Sequence, residues 1–285
     1  MKVRIVPLLL ASAALSGCGA MTSADDAAGR PTMVASFYPL AWATEQVAGE
    51  EYDVINLTSA GGEPHDLELG IRQTAAIEDA DLVVYESGFQ PAVDSGVENL
   101  ADGAVVDARS SVPISNGDAH FWLDPLLMAD LADAVADQLT EIAPEDAAGF
   151  EERAAALRAT LIELDAAYSD GLAGCARTDV IVSHAAYGYL ERYGPRFAAI
   201  TTTPDTEPNP GDLARLQELV DREDVTTVFY EPLEGPDAAE SVARDLGLET
   251  ALLDPIEGLS DQTSDEDYLS LMRTNLAALQ SANGC

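Results

Sequence analysis

The chain has 285 residues, 14 of them basic and 51 acidic, giving a formal net charge of −37. Such an excess of acid excludes the basic surface that nucleic-acid binders lay on phosphates, and equally a basic patch for anionic lipid. The length suffices for one large or two medium domains, and an apolar content of 47% argues for a folded core despite the charge. The acidity itself names no partner, since solubility and salt tolerance account for it.

Lys2 and Arg4 precede an apolar run at residues 5–15 that is too short to span a membrane as a mature helix. Leu15-Ser16-Gly17-Cys18 follows, and small residues before a cysteine directly after such a run resemble a bacterial lipoprotein signal. The resemblance implies removal of residues 1–17 and acylation of Cys18; an ordinary secretory signal with a chance cysteine is the alternative. Residues 18–30 are small and polar, and read as a flexible tether. No later stretch is apolar for long enough to span, so the expectation is an exported protein held at the outer face of the cell membrane by lipid alone. With Cys18 acylated, Cys175 and Cys285 remain as an even pair in an oxidising compartment, and a disulfide between them is expected. The alternative, two free thiols serving a metal, is disfavoured because neither lies near a histidine in sequence.

From Pro31 onward strand-like and helix-like segments alternate. Strands are expected at 33–37, 54–57, 82–85 and 104–106, then at 180–183, 198–201, 226–230 and 251–253, with helical patterns between them, as at 40–48, 71–77 and 125–142. This is the βα alternation of an α/β protein with mainly parallel sheets, its strands in two groups of four. Between the groups, Phe150, Ala154, Leu157, Leu161, Leu164, Tyr168 and Leu172 recur at steps of three or four, an apolar stripe at helical period. Pro144 suits the first turn of that helix, Glu145 and Asp146 its positive end, and Gly171 and Gly174 its close. Some 28 residues of helix reach roughly 40 Å. The expectation is therefore an N-terminal α/β lobe at 31–143, a rigid linking helix at 144–172 and a C-terminal α/β lobe at 173–285. A helix lying on one sheet of a single domain is the competing reading.

The chain holds three histidines, and each stands at a loop or strand end. His65 lies in Gly61-Gly62-Glu63-Pro64-His65-Asp66, His120 just before the helix opened by Asp124-Pro125, and His184 at the end of the apolar strand Val180-Ile181-Val182-Ser183. Asp254 holds the matching place in Leu252-Leu253-Asp254-Pro255-Ile256-Glu257. Ligands of open α/β sheets gather outside the carboxyl ends of strands. Four metal-capable side chains, two from each half, thus stand where two lobes could face each other.

Several segments together resemble the zinc/manganese solute-binding lipoproteins of bacterial ABC importers. They are Ser36-Phe37-Tyr38-Pro39-Leu40, Glu63-Pro64-His65-Asp66-Leu67-Glu68-Leu69, His120-Phe121-Trp122-Leu123-Asp124-Pro125 and Ser183-His184-Ala185-Ala186-Tyr187-Gly188-Tyr189-Leu190. Ala80-Asp81-Leu82-Val83-Val84-Tyr85, Phe229-Tyr230-Glu231-Pro232, Leu253-Asp254-Pro255 and the helix at 268–279 extend the likeness over nearly all of the chain from Pro31. The resemblance implies two α/β lobes joined by one long helix, with the metal in the cleft. It carries the family's four ligand positions onto His65, His120, His184 and Asp254. Glu231, next to a strand end in sequence, is a candidate neighbour of the site, with a solvent-facing loop acid as the alternative.

In that family a histidine at the third position marks zinc binders, where manganese or iron binders usually carry glutamate; this chain has His184. Three imidazoles and one carboxylate also suit tetrahedral Zn²⁺ better than Mn²⁺, which favours more oxygen ligands. The long histidine-rich loop of many zinc members is missing here, since residues 86–119 contain no histidine. The expectation is a monomeric protein that binds one Zn²⁺ per chain and delivers it to an ABC permease and its ATPase. The alternatives are a manganese or iron binder of the same family, a surface adhesin that keeps the fold, and a secreted zinc hydrolase. No His-Glu-x-x-His or Gly-x-Ser-x-Gly stretch supports an enzyme.

Overall fold

The computed structural model describes residues 30–114, 117–204, 206 and 209–285. The expected signal segment and Cys18 lie outside the described residues. The N-terminal half runs β1 (Met33–Ala35), α1 (Tyr38–Ala48), β2 (Val54–Asn56), α2 (Ile71–Glu78), β3 (Leu82–Tyr85), α3 (Pro91–Leu100), β4 (Ala104–Asp107) and α4 (Ala108–Ser111). Two longer helices follow, α5 (Pro125–Ile142) and α6 (Ala147–Leu172). The C-terminal half comprises β5 (Asp179–Val182), β6 (Arg196–Ala199), α7 (Pro210–Glu223), β7 (Thr227–Tyr230), α8 (Asp237–Leu246), β8 (Glu249–Leu252) and α9 (Tyr268–Asn283).

Each half carries one four-stranded sheet in which every pairing is parallel, in the orders β2-β1-β3-β4 and β6-β5-β7-β8. The strand order reverses between β1 and β3 in the first sheet and between β5 and β7 in the second, the positions where α/β sheets open a crevice at their carboxyl ends.

The period-two alternation of strands decides which helices cover which face. Val34 and Val83 point to a small outer cluster with Ile77 of α2 and Val93 of α3. Their neighbours Met33, Ala35, Leu82 and Val84 point the other way, into the main core. In the second sheet Ile181 and Val228 pack with Leu216 of α7 and Val242 of α8, while Val180, Val182 and Phe229 join the main core. That core is continuous across both halves: the inner faces of the two sheets enclose α1, α5, α6 and α9 between them.

Helix α6 belongs to this middle layer. The seven residues of its expected stripe are its buried residues, and it packs against α1, α5 and α9. It begins at Ala147, because Pro144–Asp146 form a separate 3-10 turn before it. The helix therefore joins the halves by lying within their shared core, covered along its apolar side. Arg192, after β5, adds an ionic tie: its guanidinium reaches Asp124 at 2.6 Å, the residue whose side chain caps α5, and Asp165 of α6 at 3.1 Å.

All eight expected strands form, but β6 and β8 begin two residues earlier than the apolar residues suggest. Both are edge strands, where polar residues are tolerated. Arg196 opens β6 by donating its backbone N–H to Thr178 O and pairing with Asp179 of β5. Glu249 opens β8 by donating to Thr226 O. Cys175 and Cys285 form the expected disulfide, 110 residues apart in sequence, fastening the last residue near the end of α6. No helix among the described residues is long and apolar enough to cross a membrane.

Candidate metal centre

The three histidines converge. His65 comes from the loop between β2 and α2, His120 from the segment before the short helical turn Phe121–Leu123, and His184 from the end of β5. Their fourth partner is Glu257, in the loop after β8. One donor atom from each of these residues can be chosen so that all four lie within 4.8 Å of one another. Glu257 Oε1 is 3.1 Å from His120 Nε2, 3.3 Å from His184 Nε2 and 3.5 Å from His65 Nε2. Despite these approaches, Glu257 Oε1 and His65 Nε2 are buried with no hydrogen-bond partner. His120 Nε2 and His184 Nε2 face each other at 3.4 Å. Donor atoms that crowd one point, two of them without a partner, fit a shared cation, because buried polar atoms in proteins are otherwise nearly always satisfied.

Asp254, expected as the fourth donor, stands outside this set. Its Oδ1 accepts the Ile256 N–H at 2.7 Å, and its backbone is clamped by Asn275, which accepts from Asp254 N and donates to Asp254 O. Burial first, then the negative charges of Glu231 and Glu257, push the Asp254 carboxyl up to about 7 against the pull of the Ile256 bond. Asp254 Oδ2, like Glu257 Oε1, is buried without a hydrogen-bond partner, and the backbone sets the two acids apart. Ile256 adopts φ +59°, a left-handed conformation rare for a β-branched residue, which turns the chain between the two acids. Such strain, of order 1–3 kcal/mol, is held by the Asn275 bonds and by Trp122, whose indole N–H donates to Pro255 O. Glu257 stood in the quoted strand-end segment, but the chain geometry that turns it inward leaves no mark in residue type.

The second nitrogens of two imidazoles are oriented by carboxylates. His120 Nδ1 bonds Asp118 Oδ1 at 2.8 Å, and His184 Nδ1 bonds Glu231 Oε1 at 2.7 Å. Glu231 also accepts from Ser183 Oγ and from His184 N, which places this expected neighbour of the site directly behind its third histidine. Asp118 is an orienting residue that sequence reasoning missed; its position two residues before His120 was the available signal. Such partners fix the ring orientation and leave Nε2 as the donor.

Electrostatics follow this arrangement. Burial works against a charged His120, but its bond to Asp118 and the negative charge of Glu257 close by prevail and hold its pKa up at about 9. Burial likewise opposes charge on His184, and Glu231 and Glu257 raise it to about 10. Glu257 would be pushed up by burial, yet the imidazoles facing it keep it well below the usual carboxylate range.

Phe89 packs edge-on to His65 at 4.6 Å, and Trp122 lies 5.1 Å from His120, so aromatic rings wall the cluster on the N-terminal side. A cavity of about 470 Å³ adjoins it, touching His65 and His120 and bounded by Tyr187, Glu191 and Phe197.

Two parallel α/β halves meeting around three imidazoles and one carboxylate, all but His65 buried, define a binding protein with a metal-capable centre. Residues 33–282 match the family described as "ZnuA: Zinc-uptake complex component A periplasmic", and the chain belongs to that family. The zinc-binding lipoprotein AdcA of Streptococcus pneumoniae R6 is 31% identical over 96% of this chain, which spans 60% of that relative's length. The high-affinity zinc uptake system protein ZnuA of Bacillus subtilis 168 is 28% identical, with 97% of this chain and 95% of that protein aligned. Among solved structures, the Zn(II)-bound ZnuA-like domain of Streptococcus pneumoniae AdcA superposes with a TM-score of 0.80 at 32% identity, covering 90% of this chain and all of that one.

Proposed function

We propose that the chain captures one Zn²⁺ outside the cytoplasm and delivers it to the permease of an ABC importer driven by its ATPase. The observation that carries this reading is the meeting of His65, His120, His184 and Glu257 around one point, with Glu257 Oε1 buried and unpaired. Three neutral imidazoles and one carboxylate match tetrahedral Zn²⁺ and leave a single positive charge on the bound ion. All four positions are protein donors, the pattern of a closed site that holds its ion, in contrast to a catalytic zinc with an open water position. The names of the relatives, a zinc-binding lipoprotein and a zinc uptake protein, point the same way. Acylation of Cys18, anchorage by that lipid, and a monomeric state complete the proposal.

Calorimetric titration of Zn²⁺ and Mn²⁺ into metal-free protein, with metal analysis of the product, tests it. One tightly bound Zn²⁺ per chain with weaker Mn²⁺ is expected. Tighter Mn²⁺, or no uptake of either ion, would overturn the reading.

A further inference from the structure

The donors are not held alike. His120 and His184 each have a carboxylate behind the ring, whereas among the described residues neither nitrogen of the His65 ring has a hydrogen bond. The His65 side chain is also the most open, 22% exposed against 8% for His120 and 1% for His184 and Glu257. What fixes His65 is therefore its backbone. The carbonyl of Pro64, the residue before it, accepts a hydrogen bond from Gln90 Nε2 at 3.1 Å and one from Leu67 N at 3.3 Å. The same Gln90 amide donates to Thr58 Oγ1 at 3.1 Å, and the Thr58 hydroxyl donates to Ser36 O at 2.8 Å, just past the end of β1. Gln90 and Thr58 are 2% and 3% exposed. Gln90 occupies the N-cap position of α3, yet its side chain makes no capping bond and turns to the Pro64 carbonyl instead.

We propose that Gln90 is the positioning residue for His65, tying the loop that presents this donor to the first sheet and so setting how long the metal stays bound. This rests on the zinc-capture reading above. The buried amide and hydroxyl form a latch that runs from β1 through Thr58 and Gln90 to the residue beside His65. Breaking it loosens the histidine that has no carboxylate bonded to its ring, leaving the bond from His65 N–H to Glu63 Oε1 at 3.1 Å, while His120 and His184 keep the carboxylates behind their rings.

The test is a double-mutant cycle on full-length protein, reading zinc affinity by chelator competition and zinc dissociation by stopped flow. Gln90→Met, close in shape but without the donor, is expected to weaken zinc about 10- to 100-fold, the usual cost of losing a residue behind a ligand, mainly through faster dissociation. In a His65→Ala background the same change is expected to alter affinity less than about twofold, because the donor it acts through is gone. Equal losses in both backgrounds, or none in the parent, would overturn the assignment. Should Gln90→Met fail to fold, Thr58→Val meets the same criteria. Parent protein that takes up no zinc would overturn the capture reading along with it, whereas zinc uptake with additive losses overturns only the role of Gln90.

Discussion

Trp122 donates its indole N–H to the carbonyl of Pro255 at 2.7 Å, a buried bond between the residue two after His120 and the residue two before Glu257. One donor from each half of the molecule is thereby fixed to the other. Trp122→Phe keeps an aromatic ring but removes the N–H and leaves the Pro255 carbonyl unpaired, which costs about 1–3 kcal/mol. Lower unfolding free energy in urea is expected, together with zinc affinity reduced about 10-fold or more as Glu257 loosens. Unchanged affinity alongside lowered stability would show that the bond serves folding alone.

Zinc uptake should release protons. His120 and His184 titrate near 9 and 10 in the metal-free protein, and both must be neutral to bind a cation. At pH 7.5 each bound ion should therefore displace up to about two protons from these rings. Calorimetry in buffers of different ionisation enthalpy measures that number directly. Retention of zinc should weaken steadily as pH falls.

The same shifts set the pH dependence of the metal-free fold. Both histidines are raised above their ordinary value of 6.5. Their contribution to stability is thus fully present below that value and is lost as pH rises through 9 to 10. Metal-free protein should lose melting temperature over this window, whereas zinc-loaded protein, whose imidazoles carry no proton, should lose much less. Thermal melts of both forms from pH 6 to about 10 check the difference.

The disulfide closes a loop of 110 residues. Replacing Cys175 and Cys285 by alanine should lower stability by up to about 4–5 kcal/mol on the chain-entropy account. Zinc stoichiometry should remain one per chain, because neither cysteine belongs to the cluster. Denaturant unfolding and metal analysis of the double variant read the two effects separately.

Much of this architecture was legible in the sequence because periodicity records burial. The stripe from Phe150 to Leu172 is the buried face of α6, and the apolar runs at Leu82 and Val180 are central strands. The pattern could not say that α6 lies inside a core shared by both sheets, since a stripe shows that a face is covered and not by what. Edge strands were harder: Arg196 and Glu249 open β6 and β8, where backbone pairing outweighs residue type. At the site, rarity made the histidines visible, as three in a chain of 285 residues all fell at strand or loop ends. The carboxylate was not so marked. Among 51 acids, Asp254 had the expected strand-end position, whereas Glu257, beyond the left-handed turn at Ile256, lies among the three histidines.

We propose that Glu257, and not Asp254, completes the donor set with the three histidines. The most direct test is zinc affinity by chelator competition for Glu257→Leu and Asp254→Asn, measured beside the parent protein. A loss of more than about 100-fold is expected for Glu257→Leu, beyond what a residue behind a ligand costs, and a change of only a few-fold for Asp254→Asn. A large loss at Asp254 with near-parental affinity at Glu257 would contradict it.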